Sequence, residues 1–207
     1  MFIRVVDYKS VMIRAIIFDY NGVLTTRGTF TDLIVEYCQQ MGKDSEGLAT
    51  IVTSRWKEAR IGKVEASLLW KDIAGYLGYN EIKLREEWIE RFPVRLDMLD
   101  KIKYYKNSHK IGLLTNEVRD WMEPAIEMYG LQDCFDVIVT SYEEGVAKPD
   151  ARIFEIMLKR LKVQAQDCVY IDDQLKNTTA ATGLGFKTIL FSSVGQMEKD
   201  LKLYGVL

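Results

Sequence analysis

Ala15-Ile16-Ile17-Phe18-Asp19-Tyr20-Asn21-Gly22 is the stretch on which the fold turns. An unbroken apolar run followed by an aspartate, an asparagine and a glycine reads as a strand buried on both faces that ends in a polar turn. The runs Ile111-Gly112-Leu113-Leu114, Val137-Ile138-Val139, Val169-Tyr170-Ile171 and Thr188-Ile189-Leu190-Phe191 read the same way. From about residue 110 onward they alternate with helical patterns. Ile153, Phe154, Met157, Leu158 and Leu161 recur at helical spacing behind Asp150, which is placed as an N-cap. The segment from Trp121 to Tyr129 is also helical, with Pro124 expected in a first turn or at a kink. The expected class is α/β, a doubly wound, Rossmann-like parallel sheet of about five strands.

The first connection breaks this alternation. From Thr25 to Phe92 no strand run occurs and the pattern is helical. One apolar face is Leu33, Ile34, Tyr37, Cys38 and Met41, ended by Gly42. Another is Val64, Leu68, Leu69, Ile73 and Leu77, ended by Gly78. A connection this long implies a small helical domain inserted after the first strand. The expected division is an α/β core from residues 12–24 and 93–207 and an inserted helical domain over 25–92.

Composition excludes several classes. In 207 residues, 28 Lys+Arg stand against 30 Asp+Glu, a net charge of -2, which lacks the basic excess of a general nucleic-acid binder. Cys38, Cys134 and Cys168 are far apart and form no C-x-x-C pair, as expected for reduced, buried thiols of a cytoplasmic protein. No apolar run reaches the roughly 18 residues a membrane helix needs. Residues 1–11 lack the features of a signal peptide and read as an extension ahead of Met12, where the organised pattern begins.

In open α/β sheets ligands bind beyond the carboxyl ends of the strands. There the first strand delivers Asp19, the second Thr115 and Asn116, and the fourth Asp172 and Asp173. The loop after the third carries Lys148. Any one of these alone is an ordinary turn former or helix cap. Asp172-Asp173 is less easily explained so, because adjacent like charges repel unless a cation sits between them. Clustered carboxylates select a hard ion such as Mg²⁺, which bridges to substrate phosphate. A carboxylate can serve as nucleophile, while Lys148 and the Thr115 hydroxyl hold the transferring oxygens.

The order and content of these stretches resemble the haloacid dehalogenase superfamily from about residue 13 to 192. The resembling motifs are Ile16-Ile17-Phe18-Asp19-Tyr20-Asn21-Gly22-Val23-Leu24, Leu113-Leu114-Thr115-Asn116, Ala147-Lys148-Pro149-Asp150 and Val169-Tyr170-Ile171-Asp172-Asp173. Asn177 and Gly183-Leu184-Gly185-Phe186 follow the last of these. The resemblance implies that Asp19 accepts the phosphoryl group and binds Mg²⁺. The Asn21 backbone carbonyl and Asp172 would be further ligands, with Asp173 acting through water or by orienting Lys148. Thr115, Asn116 and Lys148 would bind phosphate, and the 25–92 insertion would be the cap that selects a small phosphorylated metabolite such as a sugar phosphate.

Asn21 departs from the family pattern. Most phosphatases of the superfamily carry a second aspartate there, which protonates the leaving oxygen and then activates water. An amide cannot exchange a proton near neutral pH. Losing general acid–base catalysis costs about 10²–10⁴ in rate. The departure is compatible with leaving groups that need little protonation, with replacement by another carboxylate such as Glu117, or with deamidation at Asn21-Gly22. It equally fits a carbon–halogen hydrolase, whose departing halide needs no proton, and a non-catalytic phosphate-ligand binder. Other residues read blandly: His109 as a surface loop residue, Trp56, Trp70, Trp88 and Trp121 mostly as packing, and Arg55, Arg60 and Lys63 as solvated charges.

Overall fold

The computed structural model describes residues 12–28 and 31–206; residues 1–11, on which the reading of an extension ahead of Met12 bears, lie outside the described part. In chain order the elements are β1 (Ala15–Phe18), a single wide turn (Tyr20–Leu24), α1 (Thr31–Met41), α2 (Ser45–Ala59), α3 (Ala66–Leu77), α4 (Glu81–Glu90) and α5 (Leu96–Tyr105). Then come β2 (Lys110–Thr115), α6 (Arg119–Tyr129), α7 (Leu131–Cys134), β3 (Val137–Thr140), α8 (Ser141–Glu144) and α9 (Ala151–Leu161). The chain closes with β4 (Cys168–Asp172), α10 (Leu175–Gly183), β5 (Lys187–Leu190) and α11 (Val194–Leu203).

All strand pairs are parallel, in the order β3-β2-β1-β4-β5. The central strand β1 is buried at every position, while the edge strands β3 and β5 are partly exposed. Leu190 is therefore 46% exposed, and Phe191 falls just past the end of β5. Alternate β1 residues serve the two faces. Ile16 and Phe18 pack with Met98, Ile102 and Met122 on one side. Ala15 and Ile17 pack with Ile153, Phe154 and Met157 on the other. Helices cover both faces, as a doubly wound sheet requires.

Chain order reverses between β1 and β4, which is the crevice where such sheets place ligands. Phe18 is level with Ile171, and the Asp19 amide continues the ladder by donating to the Ile171 carbonyl at 2.9 Å. This register sets Asp19 beside Asp172.

Helices α1 to α4 interrupt the sheet between β1 and β2. Their buried residues form a second cluster, built around Leu33, Tyr37, Leu69, Trp70, Ile73 and Trp88 and shared with Val118 and Trp121 at the start of α6. Tyr37 stacks on Trp88 with ring centroids 6.2 Å apart, and Trp70 meets Trp88 edge-on at 5.5 Å. Leu68, expected on the apolar face of α3, is 41% exposed. Ala66, Leu69, Trp70, Ile73 and Leu77 define that face, and Leu68 falls nearly opposite its centre, about 160° away at 100° per residue. The outgoing and returning chains are tied together. Thr25 bridges Val94, Arg95 N–H donates to the Leu24 carbonyl at 2.7 Å, and Thr26 N–H donates to the Pro93 carbonyl at 3.1 Å.

Pro124 lies inside α6 rather than in its first turn. Asp150 caps α9 as expected, accepting from the Arg152 amide at 3.0 Å. No helix among the described residues is long and apolar enough to cross a membrane.

Candidate active site

The site begins where β1 stops. Asp19 is 4% exposed and accepts from the Tyr20 amide at 2.7 Å. Lys148 reaches it from the loop before α9, with Nζ 2.7 Å from Asp19 Oδ1 and 2.9 Å from Asp172 Oδ2. The same ammonium donates to the Leu114 carbonyl at 2.9 Å, so its three protons have three acceptors. Burial alone would lower the Lys148 pKa, but Asp172 and Asp19 more than offset it, and the net shift is upward. The lysine is held charged.

The two carboxylates it bridges are not equivalent. Burial pushes Asp172 up, but Lys148, the Tyr170 hydroxyl and the Gln174 amide reverse this and hold it at about 2. Asn177 Nδ2 also donates to both Asp172 oxygens, at 3.1 and 3.0 Å. Asp19 has fewer donors. Burial and the neighbouring Asp172 charge raise it well above the usual carboxylate range, against the pull of Lys148.

Asp173 points elsewhere. Among the described residues Lys148 forms its ion pairs with Asp19 and Asp172 and acts on Asp173 only as a nearby charge. A Cβ on Gly22 would stand 2.1 Å from Asp173 Oδ2, and one on Gly28 would stand 2.6 Å from it. Gly22 also has φ +77°. Both glycines thus leave room for this carboxylate. Gly22→Ala is expected to cost about 1–3 kcal/mol of stability, from the left-handed backbone and this clash, read as a lower urea midpoint.

One carboxylate oxygen from each of Asp19, Asp172 and Asp173 falls within 4.8 Å of the other two. Asp173 Oδ1 is buried with no hydrogen-bond partner among the described residues. Burial and the Asp172 charge raise Asp173 to about 6. An orphaned buried carboxylate oxygen in an all-oxygen cluster fits a hard divalent cation.

Asn116 spends its side chain on the lysine loop. Its Oδ1 accepts from Lys148 N–H at 2.8 Å, and its Nδ2 donates to the Lys148 carbonyl at 2.9 Å. Thr115 is buried at the end of β2 and lines the cavity above Asp19 together with Asn116 and Lys148. That cavity also receives Arg60 and Trp56 from the helical insertion and Lys176 from α10. Arg60, read from the sequence as solvated, stacks on the Trp56 ring at 4.4 Å. Arg55 pairs with Asp72 at 2.6 Å, and Lys63 is exposed. His109 precedes β2, at the opposite end of the sheet from the site.

At position 21 the amide donates to Glu117 Oε1, while Glu117 Oε2 accepts from the Val118 amide at 3.1 Å. Burial raises Glu117 to about 7. The Gly22 N–H donates to the Arg27 carbonyl at 2.9 Å and to Thr25 Oγ1 at 3.1 Å. Deamidation needs that nitrogen free to attack the Asn21 side chain, so the fold restrains it.

Residues 13–185 match the family described as haloacid dehalogenase-like hydrolase. The chain belongs to that family. Among curated relatives of this haloacid dehalogenase-like hydrolase, the sesquiterpene phosphatase astK of Aspergillus oryzae is 28% identical, over 83% of this chain and 86% of its own. The D-ribitol-5-phosphate phosphatase of Bacteroides thetaiotaomicron is 29% identical, over 86% and 91%. Some relatives are longer: this chain spans half of the bifunctional riboflavin kinase/FMN phosphatase of Arabidopsis thaliana, at 27% identity over 91% of this chain. A solved haloacid dehalogenase family enzyme from Bacteroides thetaiotaomicron superposes with a TM-score of 0.77, at 18% identity, over 88% of this chain and 95% of its own. That likeness shows the shared fold. The same enzyme has been solved in complex with magnesium and inorganic phosphate.

Proposed function

We propose that this haloacid dehalogenase-like hydrolase is a Mg²⁺-dependent phosphatase that hydrolyses a small phosphomonoester through an aspartyl-phosphate on Asp19. The observation that carries the reading is the Asp19–Lys148–Asp172 cluster with the orphaned Asp173 oxygen beside it. Asp19, Asp172, Asp173 and the Asn21 carbonyl would hold the ion. When bound, it supplies positive charge that keeps Asp19 ionised and offsets charge on the transferring oxygens.

The remaining work falls to the chain. An Asp19 carboxylate oxygen attacks phosphorus as the phosphorus–oxygen bond to the alcohol breaks, and the bonding pair departs on that oxygen. Water then attacks the phosphoryl group and the bond to Asp19 breaks, releasing inorganic phosphate and restoring the carboxylate. The proton lost by water balances the alkoxide or phenolate released earlier. Lys148, whose proton on Asp19 is freed as that oxygen takes the phosphoryl group, and Thr115 hold non-bridging oxygens, and Asn116 fixes the main chain of Lys148. Residues 25–92 serve as a cap over the core of 12–24 and 93–207, with the paired chains at 24–26 and 93–95 as its stem. Relatives named as phosphatases and the magnesium and phosphate complex of the Bacteroides enzyme support this reading. Free, buried Cys38, Cys134 and Cys168 support a reducing, cytoplasmic setting.

Phosphate release from a panel of phosphomonoesters is expected with Mg²⁺ and is expected to vanish with a chelator. Metal-independent halide release from a 2-haloacid, with no phosphate released from any ester, would replace this reading with the dehalogenase one. Because an amide cannot donate a proton to the leaving oxygen, Asn21→Asp is expected to raise kcat for alkyl phosphates by about 10²-fold. An unchanged rate would show that position 21 does not limit turnover.

A further inference from the structure

We infer that the substrate's alcohol carries a second anionic group, a carboxylate or a further phosphate, and that Arg60 of the helical insertion receives it while the phosphoryl group sits at Asp19. The inference rests on the phosphatase reading and adds the far end of the substrate to it.

Arg60 closes α2, with its N–H donating to the Trp56 carbonyl at 2.9 Å. Its guanidinium lies over the Trp56 ring, 4.4 Å from the centroid, and both side chains line the cavity that holds Asp19, Thr115 and Lys148. Stacking on one face fixes the plane of a guanidinium and leaves its terminal N–H groups for a forked bond to an anion.

Arg60 is also the arginine that the insertion leaves over. Arg27, Arg55, Arg85 and Arg91 each pair with a carboxylate. Arg60 pairs with none among the described residues, and its Nε is buried without a hydrogen-bond partner there. Burial lowers its pKa and no carboxylate offsets the shift, yet a guanidinium stays charged at any ordinary pH. A half-buried cation without a counterion is costly, and an anion that arrives with the ligand accounts for it.

The fold fixes where this cation stands. Gly62, two residues on, has φ +67°, and a Cβ there would stand 2.6 Å from the Tyr142 carbonyl. The turn after α2 is therefore seated on the core at α8. The cavity measures about 230 Å³. A single water needs roughly 10–15 Å³ on this measure, so a phosphoryl group and a short alcohol fit together. The phosphoryl group has partners of its own on the core side, where Lys148 is held to Asp19 at 2.7 Å. Arg60 forms no ion pair with Asp19, Asp172 or Asp173, which leaves it for the other end of the ligand. Asp19 is the only carboxylate among the lining residues, and the exposed Lys176 adds a further positive charge. Such a wall favours an anion over a neutral hydroxyl.

The test uses the full chain with Mg²⁺ and two matched pairs of esters. One pair is 3-phosphoglycerate and glycerol 3-phosphate, which differ by a carboxylate; the other is fructose 1,6-bisphosphate and fructose 6-phosphate, which differ by a phosphate. In at least one pair the doubly anionic ester is expected to lead in kcat/KM by about 10–10²-fold, the worth of a charged hydrogen bond. The pair that shows the larger lead identifies the anion. Arg60→Gln is expected to remove most of that lead, chiefly through KM. Arg60→Glu is expected to turn the preference toward 2-aminoethyl phosphate, whose ammonium takes the place of the anion; a merely structural arginine would give no such exchange. Calorimetric binding of the intact esters to the Asp19→Asn chain, with and without Arg60→Gln, reads the same preference without turnover. No lead in either pair, or an equal loss for every ester in Arg60→Gln, would overturn the inference and leave the phosphatase reading standing. No hydrolysis of any ester, acetyl phosphate included, would sink the phosphatase reading and this inference with it.

Discussion

Asp19→Asn is expected to lower kcat by roughly 10⁴–10⁶, as removal of an essential nucleophile does, while leaving the fold intact. The substitution keeps the shape of the side chain and an oxygen for the Tyr20 amide, which Asp19 accepts at 2.7 Å. Lys148 retains Asp172 and the Leu114 carbonyl. The carboxylate removed is the one that burial and Asp172 already disfavour in charged form. Stability in metal-free buffer should therefore change little, and a circular dichroism melt would show it. The loss of activity should not be recovered by raising Mg²⁺, which separates a missing nucleophile from a weakened metal site. Acid quenching during turnover should trap a phosphoryl group on the native protein and none on the variant. A variant retaining a tenth of the native rate would mean that the phosphoryl group does not pass through residue 19.

Much of this arrangement was legible in the sequence, and the reasons are physical. Strands buried on both faces read as unbroken apolar runs, so β1, β2 and β4 stand out where an amphipathic strand would not. The polar residues that end them were assignable because chain order in such sheets fixes where the crevice lies. What was not legible depends on side chains meeting across long separations. Asn21 and Glu117 stand 96 residues apart, and nothing in either neighbourhood announces their hydrogen bond. Arg60 entered the site only because the insertion folds over the sheet, which helical periodicity cannot report. Adjacent in sequence, Asp172 and Asp173 read as a pair. In the fold, as successive residues at a strand end, they diverge, one to Lys148 and one to the space left by Gly22 and Gly28.

Lys148→Met is expected to destabilise the metal-free protein by about 3–5 kcal/mol, the cost of stripping one partner from a buried ion pair. Methionine fills the space of the lysine stem, so the loss reports charge rather than a cavity. Lys148 is 2% exposed, Asp19 4% and Asp172 0%, so water cannot take over the solvation the ammonium provides. A loss of that size is a large part of the roughly 5–15 kcal/mol that holds a typical domain folded. Urea unfolding at fixed pH would measure it. Asp172→Asn gives the diagnostic contrast. In the native background it strips a partner from Lys148 and should destabilise; in the Lys148→Met background it removes an uncompensated buried charge and should stabilise. A double-mutant cycle in which the two effects simply add would mean that the lysine and aspartate do not depend on each other. Reversal would identify the ammonium as what makes two adjacent buried carboxylates tolerable before any cation or substrate arrives, and so as the residue that couples the folding of this sheet edge to its chemistry.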